Sequence, residues 1–158
     1  MDYSGPHRST RVLIVDDDAI VRSALHHQLS VEGFEVAEAE NGFVALEQLL
    51  RTIPDIVITD IEMPGLTGSQ FVLLMRERPA LKHVPVIFIS ANIDLYRETL
   101  RHVPLGTTEY LRKPLDIDLL VTSAQSLADE DRALQLTPAS SNTPDCLVSP
   151  DLSHAAGA

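Results

Sequence analysis

The chain has 158 residues, 12 Lys and Arg against 23 Asp and Glu, and a formal net charge of −11 at pH 7. Hydrophobic residues at 44% and charged residues at 22% suit a single domain of ordinary size with a real core. The acidic balance argues against nucleic-acid or anionic-membrane binding, which need Lys and Arg to neutralise phosphates, and makes a divalent cation the natural counter-ion.

Val12-Leu13-Ile14-Val15 is a short β-branched run ending at Asp16-Asp17-Asp18. Asp18 then offers an N-cap for a helix carrying Val21, Ala24, Leu25, Gln28 and Leu29, which Gly33 ends. Phe34 to Ala39 alternates, as an edge strand with one wetter side does. Asn41-Gly42 reads as a turn, and Val44, Ala45, Leu46, Leu49 and Leu50 mark a second helix broken by Pro54. Ile56-Val57-Ile58-Thr59 is a third strand ending at Asp60, followed by a Pro- and Gly-bearing loop over 63–68. Phe71, Val72, Leu74 and Met75 give a third helix, stopped before Pro79. Pro85 to Ile89 forms a fourth strand ending at Ser90, and Asp94 to Val103 a fourth helix cut short by Pro104 and Gly106. Tyr110-Leu111-Arg112 is a brief fifth strand followed by Lys113-Pro114, and Asp116 to Ala128 a fifth helix.

Strands separated by single helices read as βαβ units with parallel pairing and right-handed crossovers. The first, third and fourth strands are apolar without alternation, as in a sheet covered on both faces. Five units predict a doubly wound α/β sandwich, whereas a closed parallel barrel needs eight units and roughly 250 residues.

In an open parallel sheet, ligands bind beyond the carboxyl ends of the strands. There fall Asp16, Asp17, Asp60, Ser90 and Lys113. Converging carboxylates repel one another unless a cation sits among them. Mg²⁺ suits such a set, because it takes a few carboxylate oxygens and keeps waters and a phosphoryl oxygen. A carboxylate, an ammonium, a hydroxyl and a divalent metal together fit phosphoryl transfer, with an Asp able to accept the group as an acyl phosphate.

Four stretches carry a family resemblance: Val12 to Asp18, Asp55 to Gly65, Val86 to Ala91 and Gly106 to Pro114. In order and spacing they resemble the receiver domain of two-component response regulators, over about Arg11 to Leu127. The resemblance implies a flavodoxin-like sheet of order 2-1-3-4-5 with helices on both faces. It implies Asp60 as phosphoacceptor and Asp17 as the principal Mg²⁺ ligand, assisted by Asp16, Asp60 and the backbone carbonyl of Glu62. Ser90 and Lys113 would stabilise the phosphoryl group, and Tyr110 would report the switch. Glu62 and Asn92 occupy positions that tune acyl-phosphate lifetime in the family. Leu115, where an aromatic often follows Lys-Pro, and Pro104 are departures near the face of the fourth and fifth helices.

The implied function is a single-domain response regulator, similar to the chemotaxis type, taking its phosphoryl group from a histidine kinase or histidine phosphotransfer protein. It would be no enzyme beyond its own phosphorylation and dephosphorylation, and would act on a downstream protein, with a homodimer possible through Leu95, Tyr96, Leu100 and Tyr110. The enzyme-class rival is a haloacid-dehalogenase-like phosphatase with Asp16 as nucleophile, since Asp16-Asp17-Asp18 contains Asp-x-Asp. Ala19-Ile20 departs from that motif and Asp60 would go unexplained. A flavodoxin would need a phosphate loop where three aspartates stand.

The sequence predicts a disordered N-terminal segment over 1–9, a receiver domain over 10–131 and a disordered Ser-, Pro- and Ala-rich tail over 132–158, with no output domain. Thr137-Pro138, Thr143-Pro144 and Ser149-Pro150 recur in that tail. No apolar run approaches the ~20 residues of a membrane span, Met1–Arg11 lacks a signal-peptide core, and Cys146 has no disulfide partner, which together predict a cytoplasmic location.

Overall fold

The structure, a computed structural model, describes residues 8–136; Met1–His7 and Thr137–Ala158, including Cys146 and the Thr/Ser-Pro pairs, lie outside the described residues. Strands β1 (Arg11–Val15), β2 (Glu35–Ala39), β3 (Ile56–Asp60), β4 (Val86–Ser90) and β5 (Thr108–Arg112) alternate with helices α1 (Ala19–Val31), α2 (Gly42–Leu49), α3 (Gly68–Arg76), α4 (Ile93–Thr99) and α5 (Ile117–Leu136). The sheet is parallel throughout, in the order β2-β1-β3-β4-β5, the doubly wound flavodoxin-like arrangement expected. Among the described residues, no helix is long and apolar enough to cross a membrane.

Two cores flank the sheet, and strand alternation assigns each side chain to one of them. Val12, Ile14, Ile56, Ile58, Ile87, Ile89 and Leu111 pack with Leu25 and Leu29 of α1 and Leu120 and Ala124 of α5. Leu13, Val15, Val57, Val86 and Phe88 pack with Phe71, Val72 and Met75 of α3 and the buried faces of α2 and α4. Every residue of β3 and β4 is buried, whereas the edge strand β2 is half-wet, as its alternation predicts.

Helix starts follow local chemistry. The Asp18 carboxylate accepts the Ile20 and Val21 N–H groups at 2.9 and 3.3 Å, and Thr67 with Gln70 forms a capping box for α3. Asn41, read as a turn residue, is the N-cap of α2, accepting the Val44 N–H at 2.9 Å. Asx side chains serve both purposes by bonding nearby backbone, so a turn signal and a cap signal look alike.

Three bounds differ from expectation. Helix α4 ends at Thr99 instead of Val103, because the chain tightens there: Arg101 N–H donates to Glu98 O and Val103 N–H to Leu100 O. Strand β5 begins at Thr108, two residues before Tyr110, paired along β4 from Val86. Helix α5 runs to Leu136, so residues 132–136, expected to open a disordered tail, are helical. Arg132 lies 3.8 Å from Asp55 and 3.7 Å from Asp129, holding this last stretch to the end of the sheet.

One cation braces the loop before β5. The half-buried Arg76 guanidinium donates to Leu105 O at 2.8 Å, Leu81 O at 2.8 Å and Lys82 O at 3.2 Å, and burial lowers its pKa. Gly106 makes room for it: its φ is +73°, and a Cβ there would stand 2.7 Å from Arg76 Nε.

Candidate functional site

Parallel hydrogen bonding continues one residue past the strands and sets the site's register. Asp16 N–H donates to Ala39 O at 3.2 Å, Ile61 N–H to Ile89 O at 3.1 Å and Lys113 N–H to Ser90 O at 3.0 Å. With a two-residue period, Asp16, Asp60 and Lys113 continue the rows of Ile14, Ile58 and Leu111, so all three lean to the α1 and α5 side. Ser90 continues the row of Phe88, on the other side.

The side chains meet accordingly. Lys113 Nζ lies 3.0 Å from Asp60 Oδ2 and 3.4 Å from Asp16 Oδ2. Asp16 is fully buried and Asp60 nearly so, at 0% and 6% exposure, while Asp17 faces solvent. Asp16, Asp17 and Asp60 each offer a carboxylate oxygen within 4.8 Å of the other two. Backbone amides fix the carboxylates: Asp18 N–H donates to Asp16 Oδ1 at 2.9 Å, and Glu62 N–H to Asp60 Oδ1 at 3.0 Å.

Electrostatics follow from this crowding. Burial raises the Asp16 pKa and the Asp60 charge adds to it, against the Asp18 N–H and Lys113, which lower it. Burial alone would lower Lys113, but its bond to Asp60 and the charges of Asp16 and Asp60 outweigh that and raise it, so the ammonium stays protonated. The donor set fits Mg²⁺: three hard carboxylate oxygens, two from buried residues and one on the solvent side where bound waters can remain.

Backbone geometry holds the Asp60 loop down. Gly68 N–H donates to Ile61 O at 2.9 Å, and a Cβ on Gly68 would stand 2.1 Å from Asp60 O. Only glycine lets the start of α3 approach this closely.

The remaining expected residues lie around this pocket. Ser90 is buried and its Oγ accepts the Asn92 N–H at 3.0 Å. Tyr110 is half-buried, stacked on Phe88 with ring centroids 5.4 Å apart, and the Arg97 guanidinium stands 5.9 Å over its ring. Asp94 on α4 pairs with Arg112 on β5. The phosphatase assignment of Asp16 as nucleophile is not favoured: the side chain has no exposed surface, one oxygen is taken by the Asp18 N–H and the other faces Lys113.

Sequence reasoning missed a link across the pocket's rim. The Glu62 carboxylate accepts the Tyr96 hydroxyl at 3.0 Å and the Asn92 side-chain amide at 3.2 Å. The available signal was spacing, since residues four apart, such as Asn92 and Tyr96, share a helix face.

Comparisons agree with this geometry. The sequence matches the family model described as "Response regulator receiver domain" over residues 12–125. It is 35% identical over 120 residues to the response regulator PleD of Caulobacter vibrioides, covering 75% of this chain and 26% of that protein. It is 36% identical over 119 residues to the transcriptional regulatory protein PrrA of Mycobacterium leprae, covering 75% of this chain and 50% of that one. The chain thus spans between about a quarter and a half of these relatives' length. Among solved structures, the chemotaxis response regulator CheY4 of Vibrio cholerae superposes with a TM-score of 0.70 at 28% identity, over 76% of this chain and 99% of that one. A sensor protein from Polaromonas sp. JS666 gives 0.74 at 25% identity, over 78% and 99%.

Proposed function

The chain belongs to the response regulator receiver domain family, and on that premise we propose that Asp60 accepts a phosphoryl group from a phosphohistidine on a histidine kinase or phosphotransfer protein. A carboxylate oxygen of Asp60 attacks phosphorus, forming an O–P bond as the P–N bond to the imidazole breaks. The electron pair leaves with the ring nitrogen, which takes a proton from water. Asp16, Asp17, Asp60 and the Glu62 backbone carbonyl would hold Mg²⁺. Bound there, it would supply positive charge to offset that of the phosphoryl oxygens. The chain turns over no separate substrate.

The observation that carries this reading is the Lys113 ammonium, 3.0 Å from Asp60 and 3.4 Å from Asp16, at the rim where three carboxylates converge. Lys113 pairs with the transferred group, and the Ser90 hydroxyl donates its proton in a hydrogen bond to a phosphoryl oxygen. Tyr110 repacks against Phe88, shifting a pre-existing equilibrium of the α4 and β5 face that a downstream protein or a second copy reads.

The test is incubation with acetyl phosphate and Mg²⁺, borohydride trapping of the acyl phosphate and mass spectrometry. Label is expected on Asp60 and absent from Asp60→Asn; label on Asp16 would overturn the assignment.

A further inference from the structure

The acidic pocket is joined to α4 through one side chain. Glu62 stands two residues after Asp60; its N–H donates to Asp60 Oδ1, and its carboxylate accepts from Tyr96 and Asn92. Asn92 N–H in turn donates to Ser90 Oγ. Asp60 and Ser90, on neighbouring strands, are therefore bridged by Glu62 and Asn92, with Tyr96 completing the hold from the first turns of α4.

We propose that Tyr96 is a positioning residue: by fixing the Glu62 carboxylate to α4, it keeps a negative charge beside Asp60 and opposes acceptance of the phosphoryl group. The inference rests on Asp60 being the acceptor. A phosphoryl group on Asp60 adds negative charge to a site two residues from Glu62. Like charges at that separation favour the arrangement in which Glu62 swings outward, and that arrangement gives up the Tyr96 and Asn92 bonds. These bonds therefore belong to the unphosphorylated state and stabilise it relative to the other. The coupling is reciprocal, so phosphorylation loosens α4 by the same factor by which the latch opposes phosphorylation. Helix α4 suits this use. It has seven residues, of which only Ile93 is buried, and its first turns hold the rim.

Beryllofluoride with Mg²⁺, a non-covalent phosphoryl mimic, tests the idea in the full chain by calorimetric titration. Tyr96→Phe keeps the ring packed against the core and removes only the hydroxyl. It should bind beryllofluoride ~2–10-fold tighter, the range expected for losing one typical hydrogen bond at a solvent-exposed position. Amide exchange over 93–99 in the free variant should quicken toward that of the wild-type complex. Glu62→Gln keeps an acceptor for Tyr96 but removes the repulsion, so adding Tyr96→Phe to it should change affinity little. Unchanged or weaker binding by Tyr96→Phe, or an equal effect in both backgrounds, overturns the inference while leaving Asp60 as acceptor. A wild type that takes up no beryllofluoride overturns the acceptor reading itself, and this one with it.

Discussion

Asp16→Asn should stabilise the metal-free fold at neutral pH. The side chain is fully buried, so its ionised form carries a desolvation penalty of several kcal/mol. At an effective dielectric of about 20, Lys113 at 3.4 Å returns ~4.9 kcal/mol, and Asp60, no farther than 4.8 Å, takes back at least ~3.5 kcal/mol. The two charges nearly cancel, Asp17 adds a smaller, water-screened repulsion, and desolvation decides the sign. Asparagine keeps Oδ1 for the Asp18 N–H and sheds the charge. A gain of ~1–2 kcal/mol follows, about 4–8 °C in Tm for a domain of this size. Because the folded-state pKa of Asp16 is raised, the native protein holds this proton more tightly than the unfolded chain, and wild-type stability falls as pH rises. The penalty is absent below the ordinary carboxyl value of 3.8, grows as pH climbs from there toward the raised value, and is complete above it. Thermal unfolding in EDTA from pH 3 to 8 measures this directly. The advantage of Asp16→Asn should vanish at the acid end, and saturating Mg²⁺ should reverse it by stabilising the wild type. A variant less stable than wild type at pH 7 in EDTA, or an advantage that persists unchanged to pH 3, would refute the reasoning.

Two further substitutions separate ligand from scaffold. Asp17→Asn, at an exposed position, should leave Tm within about 0.5 kcal/mol of wild type while weakening Mg²⁺ binding roughly tenfold or more by removing one anionic ligand; calorimetry that finds unchanged affinity removes Asp17 from the ligand set. Gly68→Ala drives a Cβ to 2.1 Å from Asp60 O, a backbone atom that must move, and should cost ~3 kcal/mol in urea unfolding. It should also slow labelling of Asp60, and an unchanged urea midpoint would count against the close approach.

Much of this was legible because its causes are local in sequence. Apolar runs of four or five residues between helical segments specify buried parallel strands, and a polar residue just past each run must emerge at the same rim. That logic places Asp16, Asp60, Ser90 and Lys113 without coordinates. What was not legible arises between elements. The parity that puts Ser90 opposite Asp60 and Lys113 depends on strand register, and the meeting of Tyr96 with Glu62 depends on how α4 lies on the sheet. The end of α5 was misjudged because Arg132 finds its partner in Asp55, far away in sequence. A polar stretch such as Asp129 to Arg132 looks like the start of a tail until a distant carboxylate claims it.

The Arg76 clamp gives the neighbouring loop an uneven footing. A half-buried cation, itself anchored on Leu81 O and Lys82 O, rivets the segment leading out of α4 at Leu105 O, whereas the helix's opposite end hangs on a few exposed side chains beside the pocket. Any swing of that helix has its fulcrum near Leu105, and its greatest travel falls at the Asn92 end, beside Glu62.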